Sequence, residues 1–316
     1  IKTILPLKMD QLTKCLQLII CEDVSCIICD SKGAHVKYSY CYQGKTSHIF
    51  QCPKCGHMFI HPVPLIDLNS RNMNNITGSS EFFGSSFLKK LHRKIVIKKE
   101  IQWVKKFIQT PNPRLLDIGC GTGWTTAIWQ ENGFIAEGLE PSQEREEFAR
   151  TQYGIKIHNN HIENFNPQGL FDLVIMRHVL EHIEHPQIIL KKIRSFLKEN
   201  GLLLIIVPNI NSIGRYIFKE NFSWILPWHL HFYSPRTLSR LLKKTGYQKL
   251  KIYQMPSPLW YPEMLYHALG DDHLLTKFLK RRGQLFNLIF CSPIVFLGLL
   301  LNLNDNMTLI FKTNNE

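Results

Sequence analysis

The chain has 316 residues, 44% of them hydrophobic, and a formal net charge of +13. This length and apolar content suffice for a full α/β domain plus a smaller module, which excludes a chain too small or too polar to bury a sizeable core. The excess of basic residues favours acidic partners such as RNA, anionic lipid head groups or phosphorylated glycans, without choosing among them.

The first predicted unit, residues 20–65, carries two close cysteine pairs among short segments rich in β-forming residues. The pairs are Cys26-x2-Cys29 and Cys52-x2-Cys55. The stretch before them is not expected to act as a secretory signal, because its apolar part is short and no small-residue cleavage site follows. Without such a signal, pairs at this spacing predict a metal site in a reducing compartment rather than a disulfide framework. We therefore predict a cytoplasmic protein.

Four cysteines from two turns can supply the tetrahedral thiolate set of a structural zinc site, and Gly56 would let the second turn form. We predict that one zinc ion is held by Cys26, Cys29, Cys52 and Cys55. Nearby side chains that could substitute as ligands are Cys41, His48, His57 and His61. A redox Cys-x-x-Cys would need a thioredoxin-like βαβ context, which the sequence around these pairs lacks. Such a closed site would fold a zinc-ribbon module rather than perform chemistry.

The remaining chain divides into a connection and an alternating α/β region. Residues 66–90 are rich in Asn, Ser and Gly, which predicts a linker or a mobile loop. Residues 91–316 show strands and helices in alternation. The predicted strands are 115–118, 135–139, 155–157, 171–176, 202–207 and an edge pair at 247–253 and 307–313. The predicted helices are 124–131, 142–152, 186–197 and one that starts after Ser234 and ends at Gly246. This alternation predicts a doubly wound parallel sheet with ligands at the carboxyl ends of its strands.

A glycine-rich turn, GCGTG, lies between the first predicted strand and the first helix of that region. No Gly-Lys-Ser/Thr follows, so the turn is not a P-loop. Gly119, Gly121 and Gly123 alternate, so the third glycine arrives one residue earlier than in a dinucleotide fingerprint. Glu140 ends the next strand about twenty residues on, where a carboxylate accepts both ribose hydroxyls. The pattern predicts a ligand with an adenosine ribose and no standard pyrophosphate loop.

The motif series LLDIGCGTG, GLEPS, FDLVIMRHVLEHIEHP and LKENGLLLIIVPN resembles that of class I S-adenosylmethionine-dependent methyltransferases over residues 100–255. The cysteine pairs before it and PWHLHFYSPRTLSRLLKKTGY after it resemble a zinc-ribbon subgroup. That subgroup is similar to ubiquinone-type O-methyltransferases and to methyltransferases of bacterial surface-sugar biosynthesis. The resemblance implies a Rossmann-like sheet of seven strands, with S-adenosylmethionine in the glycine loop. The donor-binding residues it implies are Asp117, Gly119, Gly121, Gly123, Glu140 on the ribose, His161 and Ile162 beside the adenine, and Arg177 with His178 at the methionine end.

Methyl transfer to a hydroxyl needs proximity and a base, and histidine suits that role near neutral pH. Three histidines follow the fourth predicted strand and two follow the fifth, at the edge where the acceptor must lie. We predict the base among His229, His178 and His182. His229 is favoured on the acceptor side because PWHLHF carries aromatics that can stack on a ring. Two alternatives remain: Glu181 with His182 pins the loop, or Asn209 contacts the acceptor.

Residues 266–303 are predicted as a hydrophobic helical insertion in the methyltransferase domain. Its last part, 285–303, barely reaches the length of a membrane span, is interrupted by polar residues and Pro, and must return to the sheet. We therefore expect a helix packed on the domain or across a homodimer, or else a helix lying on the membrane surface. In the second case the preceding basic run KFLKRRGQ would meet anionic head groups, and the protein would be peripheral on the inner membrane face.

Three functions follow from these patterns. The leading hypothesis is a methyltransferase for a small molecule, a sugar, or a lipid-linked glycan or quinone-type acceptor, acting at oxygen. The alternative is an RNA methyltransferase whose zinc module and basic surface bind RNA. The third is a zinc-binding interaction protein with a degenerate fold, against which the intact glycines and Glu140 argue. No Asn-Pro-Pro-Tyr or Pro-Cys follows the fourth strand, which argues against methylation of adenine amino groups or base carbons.

Overall fold

The computed structural model describes residues 20–21, 25–42, 45–64, 87–256, 258–270, 272–282 and 284–314. The predicted linker lies outside these residues except for its last four positions, which begin a helix. The strands are β1 Ile20–Cys21, β2 Ala34–Tyr42, β3 Lys45–Gln51, β4 Met58–His61, β5 Arg114–Ile118, β6 Ile135–Leu139, β7 Lys156–His158, β8 Phe171–Arg177, β9 Leu197–Pro208, β10 His231–Phe232, β11 Tyr247–Met255 and β12 Asn306–Thr313. The helices are α1 Phe87–Val104, α2 Trp124–Glu131, α3 Gln143–Tyr153, α4 Pro186–Arg194, α5 Ile213–Phe218, α6 Pro235–Lys244, α7 Tyr261–Leu269, α8 Leu274–Lys280 and α9 Gln284–Leu300. Short 3-10 turns are Leu180–His182, Lys219–Asn221 and Pro258–Trp260.

The central sheet has seven strands in the order β11-β12-β9-β8-β5-β6-β7. Strands β9, β8, β5, β6 and β7 are parallel, and β12 runs antiparallel between β9 and β11. The predicted doubly wound sheet and its antiparallel edge pair are therefore confirmed. The helix predicted over 186–197 ends at Arg194, because Leu197 already pairs with Phe171 as the start of β9.

The core lies on both faces of this sheet. Along β9, Leu203, Ile205 and Val207 pack on one face, in a buried cluster with α4 and α6. Their neighbours Leu202, Leu204 and Ile206 pack on the other face, with α1 and α2. A strand covered on both faces must be apolar at every position, which explains the run LLLIIV.

A second sheet has the order β1-β2-β3-β4-β10 and combines the cysteine-rich region with a strand from much later in the chain. Strand β10 pairs antiparallel with β4, with His231 opposite Phe59 and Phe232 opposite Met58. Cys26 and Cys52 are buried in the same cluster as the core of the central sheet. The cysteine-rich region is therefore packed into the α/β domain, and its sheet is completed by that domain.

Helices α7, α8 and α9 lie between β11 and β12, in the segment predicted as a hydrophobic insertion. Helix α9 continues past Pro293 without a break. Within the described part of the chain, no helix combines the length and the apolar character needed to cross a bilayer.

Candidate active site

The three glycines of the turn after β5 all have left-handed backbone, with φ of 69°, 56° and 74° at Gly119, Gly121 and Gly123. L-residues with a side chain avoid this conformation. At two of these glycines there is also no room for a side chain. A Cβ on Gly119 would lie 2.5 Å from Cγ2 of Val179, and one on Gly123 would lie 2.7 Å from Cβ of Ala149. The turn therefore requires glycine and brings its backbone against the segment after β8.

Glu140 follows β6 directly and is buried beside that turn. Its Oε2 accepts a hydrogen bond from the Gly121 backbone N–H at 3.0 Å. Its Oε1 accepts from the Ser142 N–H at 3.3 Å and from the Arg145 guanidinium at 3.4 Å. A carboxylate held this way, next to a turn that exposes backbone, matches the position predicted for a ribose-binding group.

Asp117 and Arg177 lie at the carboxyl ends of β5 and β8, on neighbouring strands. Oδ2 of Asp117 accepts from the hydroxyls of Thr126 at 2.7 Å and Thr125 at 3.1 Å. Burial raises the pKa of Asp117, and Thr126 and Arg177 offset only part of this effect. Arg177 itself forms an ion pair with the fully buried Glu100 of α1. The sequence did not predict a role for Glu100, although it is the one acidic residue in the otherwise basic helix α1.

The predicted adenine segment follows β7. Ile162 is buried in the main core cluster, whereas His161 is exposed and its N–H donates to Oδ1 of Asn160 at 2.8 Å. The side-chain amide of Asn159 donates to the Glu140 backbone oxygen at 3.2 Å. This bond ties the segment to Glu140, so the predicted adenine and ribose positions adjoin.

The predicted histidines His178, His182 and His229 come together with Glu181 in what we name the His–Glu cluster. His178 has a left-handed backbone, φ 53°, and its ring stacks on Trp224 at 5.4 Å between centroids. Its Nδ1 lies 3.4 Å from Oε1 of Glu181. The rings of His182 and His229 are 4.9 Å apart. Val179 packs on Gly119, so this cluster adjoins the glycine turn.

The titration of the cluster is strongly perturbed. Burial alone would raise the pKa of Glu181, which is 1% exposed, but the surrounding imidazoles outweigh burial and lower the pKa to about 2. Burial lowers the pKa of His229 to about 3. Near neutral pH the site therefore contains a buried carboxylate beside a neutral imidazole, an arrangement typical of functional sites.

Two other polar residues near the cluster, the acceptor-side candidate Asn209 and the nearby His231, already have structural partners. The Asn209 amide donates to the backbone oxygens of Asn304 and Asn211, so its polar group is already used inside the fold. His231 stacks on His57 of the N-terminal sheet, with Nδ1 and Nε2 3.4 Å apart. Sequence reasoning did not include Trp224, whose only signal was its place in the aromatic-rich stretch before His229.

The four predicted zinc ligands lie together, each with its sulfur within 4.8 Å of the other three. The sulfurs of Cys26 and Cys55 lie 3.5 Å apart, as do those of Cys29 and Cys52. Sulfurs bound about 2.3 Å from a tetrahedral zinc lie about 3.8 Å apart, so this spacing fits the ion.

The two cysteine turns have the same backbone. In the first, the Asp30 N–H donates to the Cys26 oxygen at 2.8 Å, and in the second the Gly56 N–H donates to the Cys52 oxygen at 2.9 Å. Asp30 and Gly56 both have positive φ. Burial raises the pKa of Cys26, and it raises that of Cys55 to about 11, so a bound cation is needed to keep these thiols ionised near neutral pH. The donor set fits structural zinc.

Comparison with known proteins gives the family. Residues 88–252, half of the chain, match the family described as "Methyltransferase domain". The ubiquinone biosynthesis O-methyltransferase of Rickettsia conorii is 24% identical over 214 residues, covering 64% of this chain and 72% of that protein. The protein of the same name from Bradyrhizobium diazoefficiens is 31% identical over 120 residues, covering 36% of this chain and 47%, about half, of that protein.

Among solved structures, the magnesium protoporphyrin IX methyltransferase of Synechocystis, solved with bound SAH, superposes with a TM-score of 0.52 at 12% identity. The match covers 77% of this chain and 98% of that one, and it shows the shared fold. The chain belongs to the methyltransferase domain family and is a class I S-adenosylmethionine-dependent methyltransferase, as the motif series indicated.

Proposed function

We propose that this protein transfers the methyl group of S-adenosylmethionine to a hydroxyl of a small acceptor, of quinone or sugar type. The observation that carries the proposal is the His–Glu cluster beside the glycine turn, joined to it by the contact of Val179 with Gly119. The names of the two bacterial relatives support oxygen as the methylated atom and a quinone-type ring as the acceptor. RNA as acceptor was suggested by the net charge and the zinc module, and neither relative's name supports it.

Donor binding is assigned to the residues around the glycine turn. Glu140 would accept the ribose hydroxyls, with Asp117 behind the turn, and Ile162 and His161 would border the adenine. Arg177, fixed by Glu100, would border the methionine end. When bound, S-adenosylmethionine supplies an electrophilic methyl group on a sulfonium. Four residues, Cys26, Cys29, Cys52 and Cys55, would hold a zinc ion that stabilises the fold without contacting the reactants.

The chemistry left to the protein is to hold the acceptor oxygen in line with the methyl group and to remove its proton. Among the predicted bases, His178 has the best position, because its Nδ1 faces Glu181 and its ring lies flat on Trp224. His229 is less suited as a base, because its pKa of about 3 makes it a weak proton acceptor. The strained backbone of His178 is also typical of residues held for function.

The test uses purified protein with isotopically labelled donor and three acceptor sets: quinols, nucleotide- or lipid-linked sugars, and RNA. Mass spectrometry should find one added methyl group on a hydroxyl of a member of the first two sets. His178→Asn should lower kcat, measured at saturating donor, by about 100-fold or more. The control His185→Asn, in the same loop but outside the cluster, should remain active. Methylation of RNA alone, or full activity of His178→Asn, would overturn these assignments.

We also propose that helix α9 lies on an anionic membrane surface. Its exposed apolar side chains are Phe286, Ile289, Phe290, Phe296, Leu297, Leu299 and Leu300. The basic residues just before it are Lys277, Lys280, Arg281 and Arg282. An apolar helix face beside a cationic cluster suits the boundary between acyl chains and anionic head groups. This surface would bring a lipid-linked acceptor to the active site of a cytoplasmic, peripheral enzyme.

Flotation with anionic vesicles tests this surface. Wild-type protein should float at low salt and less at high salt, because salt screens the basic cluster. Phe296→Asp/Leu300→Asp should remain in solution, whereas Ile188→Asp on α4 should float. Phe296, Leu300 and Ile188 are matched in exposure, at 66%, 70% and 64%. If the wild type never floats but forms a dimer that Phe296→Asp/Leu300→Asp disrupts, the helix is a contact between two copies instead.

A further inference from the structure

Three side chains that can bind a metal ion lie together beside the glycine turn: Glu181, His182 and His229. One carboxylate oxygen and one nitrogen of each ring lie within 4.8 Å of one another. Glu181 is buried, and among the described residues no hydrogen bond of normal geometry reaches either of its carboxylate oxygens. The nearest donor is Nδ1 of His178, 3.4 Å from Oε1. A buried carboxylate held only by this loose contact is costly, so a cation bound to its oxygens would stabilise it.

The hydrogen bonds of the two rings decide what that partner is. Nδ1 of His182 lies 2.9 Å from the backbone oxygen of Trp228, and Nδ1 of His229 lies 2.8 Å from that of Trp224. A carbonyl oxygen only accepts, so both Nδ1 atoms carry the proton. In a neutral ring Nε2 then has a free lone pair and no proton to donate to the carboxylate. Imidazole ligands of metal ions are usually held in this way, with the second nitrogen bonded to a backbone oxygen.

The backbone also fixes the two segments that carry these groups. The Leu230 N–H donates to the backbone oxygen of Glu181 at 2.7 Å, so the turn after β8 and the loop before β10 cannot separate freely. Small side-chain rotations would bring all three groups onto a single ion.

We propose that Glu181, His182 and His229 bind a divalent metal ion, separate from the four-cysteine zinc. Two imidazoles and one carboxylate suit Mn²⁺, Fe²⁺ or Zn²⁺, with coordination positions left open. His182 is exposed, so the ion would face the acceptor. There it would lower the pKa of a bound acceptor hydroxyl, and the proton would pass to His178 while the oxygen takes the methyl group. That catalytic role rests on the proposed function, whereas binding of the ion does not.

The probe is Mn²⁺ added to zinc-loaded, full-length protein, because Mn²⁺ prefers oxygen and nitrogen ligands and leaves thiolate sites to zinc. Electron paramagnetic resonance measures the Mn²⁺ that stays free. Its signal should fall by the amount that corresponds to one bound ion per chain. Glu181→Gln, which keeps the shape of the buried side chain, and His182→Ala, at an exposed position, should each weaken binding by about tenfold or more. The matched control is His185→Ala, an exposed histidine three residues from His182, which should bind as the wild type does.

Two separate measurements keep the interpretation clear. Donor affinity, measured by calorimetry, should stay unchanged in all variants, which shows that they fold. Methyl transfer is then measured with and without added Mn²⁺. No Mn²⁺ binding by the wild type, or equal binding by Glu181→Gln, would overturn the metal site even if transfer proceeds. Binding of the ion without any transfer would instead count against the proposed function.

Discussion

Replacement of Glu140 by Gln is the sharpest test of the donor site. The substitution keeps the side-chain volume but removes the charge and turns one acceptor oxygen into a donor. In the structure both oxygens face donors, the N–H groups of Gly121 and Ser142 and the guanidinium of Arg145. Whichever way the amide is turned, its NH2 group must face one of these donors, and it can offer the ribose only one acceptor.

The expected magnitude follows from the loss of a charged acceptor. A hydrogen bond to a charged group contributes about 1.5–3 kcal/mol. Loss of one such bond raises the dissociation constant of the donor about 10- to 150-fold. Calorimetric titration with S-adenosylmethionine measures this change directly, and circular dichroism confirms that the variant is folded.

Glu137→Gln provides the matched control, since Glu137 is a buried carboxylate on β6, the strand that Glu140 directly follows. It pairs with Arg114, Lys156 and His158, away from the glycine turn. Its replacement should lower stability but leave donor affinity unchanged. Unchanged affinity in Glu140→Gln, or an equal loss in both variants, would refute the assignment of the ribose to Glu140.

Three further results are expected. Gly123→Ala should abolish most donor binding and destabilise the fold by about 2 kcal/mol more than Gly133→Ala. Both glycines have positive φ, but only a Cβ at 123 meets other atoms within 4 Å, the nearest being Cβ of Ala149. Equal losses of stability in thermal denaturation would contradict this reasoning. Metal analysis should find one zinc per chain, lost in Cys52→Ser/Cys55→Ser along with stability, since Cys52 lies in the main core; full metal retention would exclude these ligands. For Glu137, burial opposes ionisation, but hydrogen bonds from His158, Arg114 and Lys156 outweigh burial and lower the pKa from 4.5 to about 2. The unfolded chain then binds the proton first, so the stability from Glu137 is complete above pH 4.5 and declines as pH falls towards 2. Urea titrations should show a shallower decline for Glu137→Gln, and parallel curves would disprove the account.

Elements with local signals were predictable from the sequence. Helix α3, Gln143–Tyr153, lies within one residue of the predicted 142–152 at each end, because Ser142 caps its start and Gly154 ends it in left-handed conformation. Strand β6 has the predicted bounds, 135–139. The cysteine turns were also predictable, because the spacing of ligands within one turn is itself a local property.

Features that depend on distant pairing were not predictable. No local pattern shows that His231 and Phe232 pair with β4, since two residues are too few to give a periodic signal. From the sequence, Glu181 was expected only to pin the loop together with His182. Its burial, without a hydrogen bond of normal geometry to either oxygen, depends on the loop before β10 folding over it. Arg177 likewise gave no sign of its pairing with Glu100, which lies 77 residues earlier.

The strand that β10 adds to the N-terminal sheet bears on how the protein folds during synthesis. His57 and His231, which stack across this junction, are 174 residues apart in the chain. While the ribosome makes the intervening residues, β4 has an unpaired edge, a feature that promotes aggregation. Contacts at such long separation also slow folding, because a large loop must close before they form. The cysteine turns can take up zinc early, but their sheet is finished only after most of the central sheet has been made. We therefore expect the protein to depend on chaperones during expression. A fragment that ends before residue 231 should give a poor yield.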